Sequence, residues 1–270
     1  FSTYTKVCQD TNQSLQYMCL AMNWQVVLNL SGMSSSNRRT VLTGDAFDER
    51  VILRQLQQRS VNGGGGNSGN VVGSASGSIS LLQMILYRYK LYAALYFGEW
   101  DVAFSIGSSI MDDYCKKLPG QSGCIFVTYI SGLAAFAASK FKSKDKKYKR
   151  HGRKCRDRLK AWADKGNPNC VHYVAMLDGE QEASRGMLDT ASKFFESAIR
   201  LAGRRGIPQD QAIAHERLAE AWLYHGDSDN AKYHFLEALR LYGEWGAARK
   251  EELLRERCRK VWKTEETFNP

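Results

Sequence analysis

DQAIAHERLAEAWLYHGDSDNAKYHFLEALRLYGEW, residues 210–245, holds two amphipathic helices and the turn that joins them. Leu218, Ala219, Trp222 and Leu223 fall at i, i+1, i+4 and i+5, one face of a 3.6-residue period, and Ala231, Phe235, Ala238, Leu239 and Tyr242 form a second face. Gly226-Asp227 interrupts the period. Glycine takes the left-handed conformation that closes a helix, and the aspartate after it suits the entry to the next one. Small residues at Ala219, Ala231 and Ala238 let an antiparallel pair approach closely, while Trp222 and Phe235 fill the space between neighbouring pairs.

The same unit occurs upstream. Gly186, Ala191, Phe195 and Ala198 precede Gly226, Ala231, Phe235 and Ala238 by 40 residues at every position. Gly98, Ala103, Gly107 and Ile110 repeat the spacing again with two identities. These residues, with Leu218, Ala219 and Trp222 on the first helix, resemble the tetratricopeptide repeat. The period is longer than that family's, and the extra residues are expected in a loop, RRGIPQDQ at 204–211, marked by Gly206 and Pro208. Trp100, Trp162, Trp222 and Trp245 stand beside small residues at helical spacing and read as inter-helix packing.

Further helices are predicted over 81–97, 99–117 and 124–140, with turns at Gly98 and Pro119-Gly120. A helix over 45–58, opened by Gly44-Asp45, should turn Phe47, Val51, Ile52 and Leu56 inward. Residues 1–31 hold one or two helices on Leu15, Met18, Cys19, Met22, Val26, Val27 and Leu30, with a loop at 31–37. A last helix, about 246–262, is rich in Glu, Arg and Lys and suits the end of a stack. The chain is thus expected to be all-α, and the resemblance implies a tetratricopeptide-like right-handed solenoid of antiparallel helix pairs. Its divisions are N-terminal helices (1–60), a flexible Gly/Ser-rich loop (61–79), helix pairs ending in a basic loop (80–165), and repeats with a capping helix (166–270).

Within 270 residues the net charge is +10, and one block accounts for all of it. Residues 140–160, KFKSKDKKYKRHGRKCRDRLK, carry twelve Lys or Arg against Asp145 and Asp157. The block reads first as a solvated, charged turn. The alternative is a contact surface for RNA, anionic membrane or an acidic partner through Lys144, Lys146, Lys147, Lys149, Arg150, Arg153 and Lys154. Only Phe141 and Tyr148 are there to stack on bases. No signal-peptide pattern and no apolar run of roughly 18 residues stands out, which argues against secretion and membrane spanning. The seven cysteines are scattered, never as C-x-x-C, and fit a reducing, cytoplasmic setting.

Catalytic patterns are not legible. The glycine run at 62–78 has no Lys and no preceding strand, so it does not make a phosphate-binding loop. His215-Glu216 and the pair His215 and His225 read as surface or turn residues rather than zinc ligands. G-x-S-x-G, H-R-D and D-F-G do not occur. No cofactor, metal or catalytic residue is expected.

The order of motifs resembles one family: the helical region behind the nucleoside-triphosphatase domain of very large signalling proteins, with a serine/threonine kinase-like domain in front and a GAF plus histidine kinase, or a nucleotide cyclase, behind. The stretches that carry it include Trp24–Leu30, Leu42–Glu49, Tyr96-Phe97-Gly98, Trp162 with Asn169 and His172, Glu216-Arg217, and Tyr242-Gly243-Glu244-Trp245-Gly246-Ala247-Ala248-Arg249-Lys250. The Gly/Ser run and the basic block stand outside it. The resemblance implies a non-catalytic scaffold or sensor segment of a larger ATP-binding kinase or cyclase, contacting a protein partner or adjacent domains of its own chain.

Overall fold

The computed structural model describes residues 14–35, 39–54, 80–141 and 146–263. Among the described residues there are ten α-helices, a further helical stretch over 49–54, one 3-10 turn and no strand, only an isolated bridge between Thr43 and Asp48. The helices are α1 (Ser14–Ser31), α2 (Leu81–Tyr96), α3 (Trp100–Lys117), α4 (Ser122–Phe141), α5 (Lys146–Asp164), α6 (Val171–Ala183), α7 (Leu188–Arg204), α8 (Pro208–Tyr224), α9 (Ser228–Trp245) and α10 (Ala248–Trp262).

One turn recurs. Gly166, Gly186, Gly206, Gly226 and Gly246 lie 20 residues apart, and all have positive φ, from 64° to 88°. The amide after each glycine donates to the carbonyl five residues back, as in Met187 to Glu182, Ile207 to Ala202, Asp227 to Trp222 and Ala247 to Tyr242. This is the Schellman closure, which satisfies carbonyls left over at a helix end. The residue that donates then accepts the first hydrogen bond of the next helix, at 3.1 Å from Gln211 to Ile207 and 3.2 Å from Ala231 to Asp227. One residue therefore ends one helix and starts another. Glu99, after Gly98, does the same.

The expected loop at 204–211 is part of this series. α7 runs to Arg204 and α8 starts at Pro208, so the connection is three residues long. Proline is at home there, because the first amides of a helix have no partner to lose. The 40-residue period comes instead from long helices, 17 residues each in α7 and α8.

Consecutive helices pack as antiparallel neighbours, and α2, α4, α6 and α8 also touch one another in succession. That gives an inner row, buried on nearly every side in α4, α6 and α8, and an outer row of α3, α5, α7 and α9 with one buried face each. The repeat residues sit as the spacing requires: Ala103, Ala191, Phe195, Ala198, Leu218, Ala219, Ala231, Phe235 and Ala238 are all buried. Trp222 is only half-buried against the core. The two ends of the series meet, since α10 packs on α1 and the Tyr96 ring lies 4.9 Å from Trp245 and 6.3 Å from Tyr242.

Several expectations change. Ser122–Ser139 is long and apolar enough to cross a membrane, with mean hydropathy 1.5, although the sequence reading singled out no such run. Within this fold 83% of that window is buried by protein, chiefly α3, α5 and α6. The helix expected from Asp45 begins later. Gln25 Oε1 accepts from the Ala46 and Phe47 amides and holds 44–47 as a turn, so helix is present over 49–54, and Val51 points to solvent. The basic block is not a loop beyond Lys146, where α5 begins. The Gly/Ser-rich run at 61–79 and Leu56 lie outside the described residues.

Two substitutions check the turn and the core. No atom lies within 4 Å of a Cβ built on Gly226, so Gly226→Ala should cost only its conformational strain, about 1 kcal/mol, and Gly226→Asn less. Phe235→Ala should cost about 3–5 kcal/mol in urea unfolding, and Trp222→Ala distinctly less. Equal losses at Phe235 and Trp222 would contradict the packing.

Candidate functional site

Burial all round leaves the inner helices no solvent face for their charged residues, so those residues must find partners within the protein. Arg217 on α8 makes a bidentate pair with Glu180 on α6, at 2.5 and 3.0 Å, with Glu180 fully buried. Its guanidinium also lies 5.0 Å from the Trp100 ring centre, a cation–π contact. Next to it, Glu216 accepts from Lys250 Nζ and from the Tyr242 hydroxyl, each at 2.7 Å. About two turns earlier, Asp210 meets His172 Nε2 at 2.9 Å and the Tyr173 hydroxyl at 2.7 Å. Each pair or triad spans neighbouring helices.

Of these groups, Glu216, Arg217, Lys250 and Trp100 lie in the wall of a cavity of about 680 Å³. Tyr96, Phe97 and Trp100 come from the α2–α3 turn, Glu216, Arg217 and Glu220 from α8, and Lys250, Leu253 and Arg257 from α10. Arg257 is paired with Glu220. The lining is thus charged but internally neutralised, with Arg39, Glu256 and Lys260 left toward the opening. Burial pushes the Glu216 carboxyl up, but the Lys250 charge and the two hydrogen bonds outweigh it and hold the carboxyl below its ordinary value. Glu216 is therefore an anion that orders Lys250 and Tyr242, not a proton donor. No Ser, Cys or His is among the residues that line the cavity. The arrangement can hold a polar chain segment against aromatic rings.

His215 departs from its expected surface position. It is buried, with Nδ1 2.9 Å from Nδ1 of His234 on α9, so one ring donates and the other accepts. Burial, then the neighbouring His234, lowers its pKa to about 3. His225 is exposed at the end of α8, as the sequence suggested. Among the described residues no three His, Cys, Asp or Glu are grouped to hold a metal ion.

Lys144 lies outside the described residues, while Lys146, Lys147, Lys149, Arg150, Arg153 and Lys154 all fall on α5. α5 buries Tyr148, Gly152, Cys155 and Leu159. Gly152 permits the close approach to α4, for a Cβ there would lie 2.7 Å from the Phe136 ring. Much of the charge is neutralised by the scaffold: Lys154 and Arg158 both pair with Asp112, and Arg156 with Asp178. Lys149 donates to the Ser184 carbonyl at 3.0 Å. Lys146, Arg150 and Arg153 form an exposed stripe with no acidic partner among the described residues.

The inner ion pairs escaped the sequence reading, which found no convergent titratable cluster. The available signal was His215-Glu216-Arg217 running straight into the buried Leu218-Ala219, too many charges for a helix with only one polar face. The chain matches no known family model and no curated protein.

Removing one partner of the inner pair should be expensive. Arg217→Met leaves a buried, unpaired Glu180 and should cost about 3–5 kcal/mol, whereas Arg217→Met with Glu180→Leu should recover most of it. Acid should also act through His215. Its folded pKa lies below its unfolded value near 6.5, so the unfolded chain takes up a proton first, and stability falls as pH drops from there toward 3. The loss should reach about 2 kcal/mol by pH 5, and His215→Asn should flatten that part of the urea-stability profile.

Proposed function

We propose that this chain is a tetratricopeptide-like, right-handed solenoid serving as a non-catalytic scaffold or sensor segment, and that it makes protein or interdomain contacts within a larger ATPase-linked signalling protein. The observation that carries this reading is the cavity lined by Trp100, Tyr96, Lys250 and Arg257, framed by helix pairs joined every 20 residues by one kind of turn. Stacked helix pairs offer extended surfaces for partner segments. A wall of paired charges and aromatic rings suits an extended peptide with its own polar groups.

The test is direct binding. The chain, labelled with a fluorophore, is titrated with the triphosphatase domain and with the output domain expected beside it. Lys260→Glu and Leu253→Arg, both at the cavity, should weaken binding by at least about tenfold, or 1.4 kcal/mol. Retained affinity in both variants would remove the cavity from the interface.

The exposed stripe on α5 favours a second reading, a module that binds RNA or anionic membrane. Three exposed cations in line are enough for salt-sensitive phosphate contact. Lys146→Gln, Arg150→Gln and Arg153→Gln together should abolish any binding to RNA or anionic vesicles that weakens with salt. No binding by the parent chain would leave the stripe as a solvated face.

A further inference from the structure

We propose that His215 and His234 form a two-histidine site that takes a divalent transition-metal ion of square or octahedral geometry, nickel(II) or copper(II), and clips α8 to α9. His215 stands eleven residues before Gly226 and His234 eight after it, so the antiparallel hairpin lays one beside the other. Their Nδ1 atoms lie 2.9 Å apart and their ring centres 5.1 Å apart. Alanine stands one turn away from each histidine on both sides, Ala212 and Ala219 on α8, Ala231 and Ala238 on α9, and all four are buried. Such small neighbours let the two helices come close enough for the rings to meet.

The separation selects the geometry. Two imidazole nitrogens, each about 2.0–2.1 Å from one ion, are about 2.8–3.0 Å apart across a right angle and about 3.3–3.4 Å apart across a tetrahedral one. The observed 2.9 Å is the right-angle value, that of adjacent corners of a square or an octahedron. Tetragonal nitrogen sites suit copper(II) and nickel(II), whereas structural zinc is tetrahedral. The other histidines are placed differently: His151 meets Ser131 at 2.7 Å, His172 meets Asp210, and His225 is exposed at the end of α8.

Both rings are in the state a metal needs. Burial holds each below the ordinary histidine pKa, so both are neutral at neutral pH, the form that binds an ion. One Nδ1–H now donates to the other Nδ1. Binding moves that proton to Nε2 of the same ring and turns both rings about their Cβ–Cγ bonds, so two Nδ1 lone pairs meet the ion and no proton is released. His234 is half-buried on an outer helix, beside exposed Tyr233 and Asn230, which leaves a side from which water completes the coordination. Glu237 favours a cation at His234. The Arg240 charge, which reaches His215, is balanced by Glu237 and Glu244 at 3.0 and 2.6 Å.

Nickel(II) is the probe, because it does not oxidise the chain's thiols. Isothermal titration of the whole chain near neutral pH should show one nickel ion bound per chain, and zinc(II) bound more weakly. His215→Asn and His234→Asn keep a polar side chain but offer no imidazole, and each should lose nickel affinity by about tenfold or more, whereas His225→Asn should not. His234 is half-buried, so its variant tests the site even if His215→Asn fails to fold by far-UV circular dichroism. Nickel should also raise the urea midpoint of the parent chain and leave folded His234→Asn unmoved, since an ion held only by the folded pair stabilises that state. Four results would overturn the proposal: no nickel binding by the parent chain, a loss below about tenfold in folded His234→Asn, an equal loss in His225→Asn, or zinc bound as tightly as nickel.

Discussion

The structure depends on a short connection of fixed handedness. A glycine at positive φ ends one helix, and the next residue both completes the closure and begins the following helix. No slack remains between them. The direction of each helix is therefore set by its predecessor, and the same glycine closure at 166, 186, 206, 226 and 246 recurs along the chain. Because consecutive helices fold back on one another, every second one falls on the same side, and an inner and an outer row result.

The inner row then determines the electrostatics. Helices buried on nearly every side cannot send long charged side chains to water, and an unpaired buried charge would be costly. Glu180–Arg217, Glu216–Lys250 and Asp210–His172 meet that constraint by bridging from one helix to another. Apolar residues of similar volume would hold such a core about as well, so the pairs matter chiefly for register. They fix how far each helix slides along its neighbour. The same logic reaches the basic helix, where Asp112 and Asp178 draw three of its cations down onto the scaffold and leave only a narrow stripe exposed.

The helical hairpins were legible because small and large apolar residues recur at positions that face one another. Gly186, Ala191, Phe195 and Ala198 against their counterparts 40 residues on carry that signal, and all four positions behave as the spacing requires. Length misled at 204–211, where glycine and proline announce a loop but act as a helix stop and a helix start with only Ile207 between them. Composition misled at 146–164. A run of nine Lys and Arg looks unfit for a helix until Tyr148, Cys155 and Leu159 are seen on one face. The cavity wall was illegible for a different reason: its partners lie 34 to 37 residues apart and come together only through the two-row arrangement.

The contact of Tyr96 with Tyr242 and Trp245 has an evolutionary consequence. Open helical arrays lengthen readily, since a duplicated unit simply adds to the row and each unit touches only its neighbours. Here the early helix α2 is bound to the late helix α9, and α1 to α10. An inserted copy of the 40-residue unit would push those partners apart and strip both aromatic clusters of their cover. Among the described helices, length is therefore coupled to closure: adding a unit within the series costs the contacts that join its two ends.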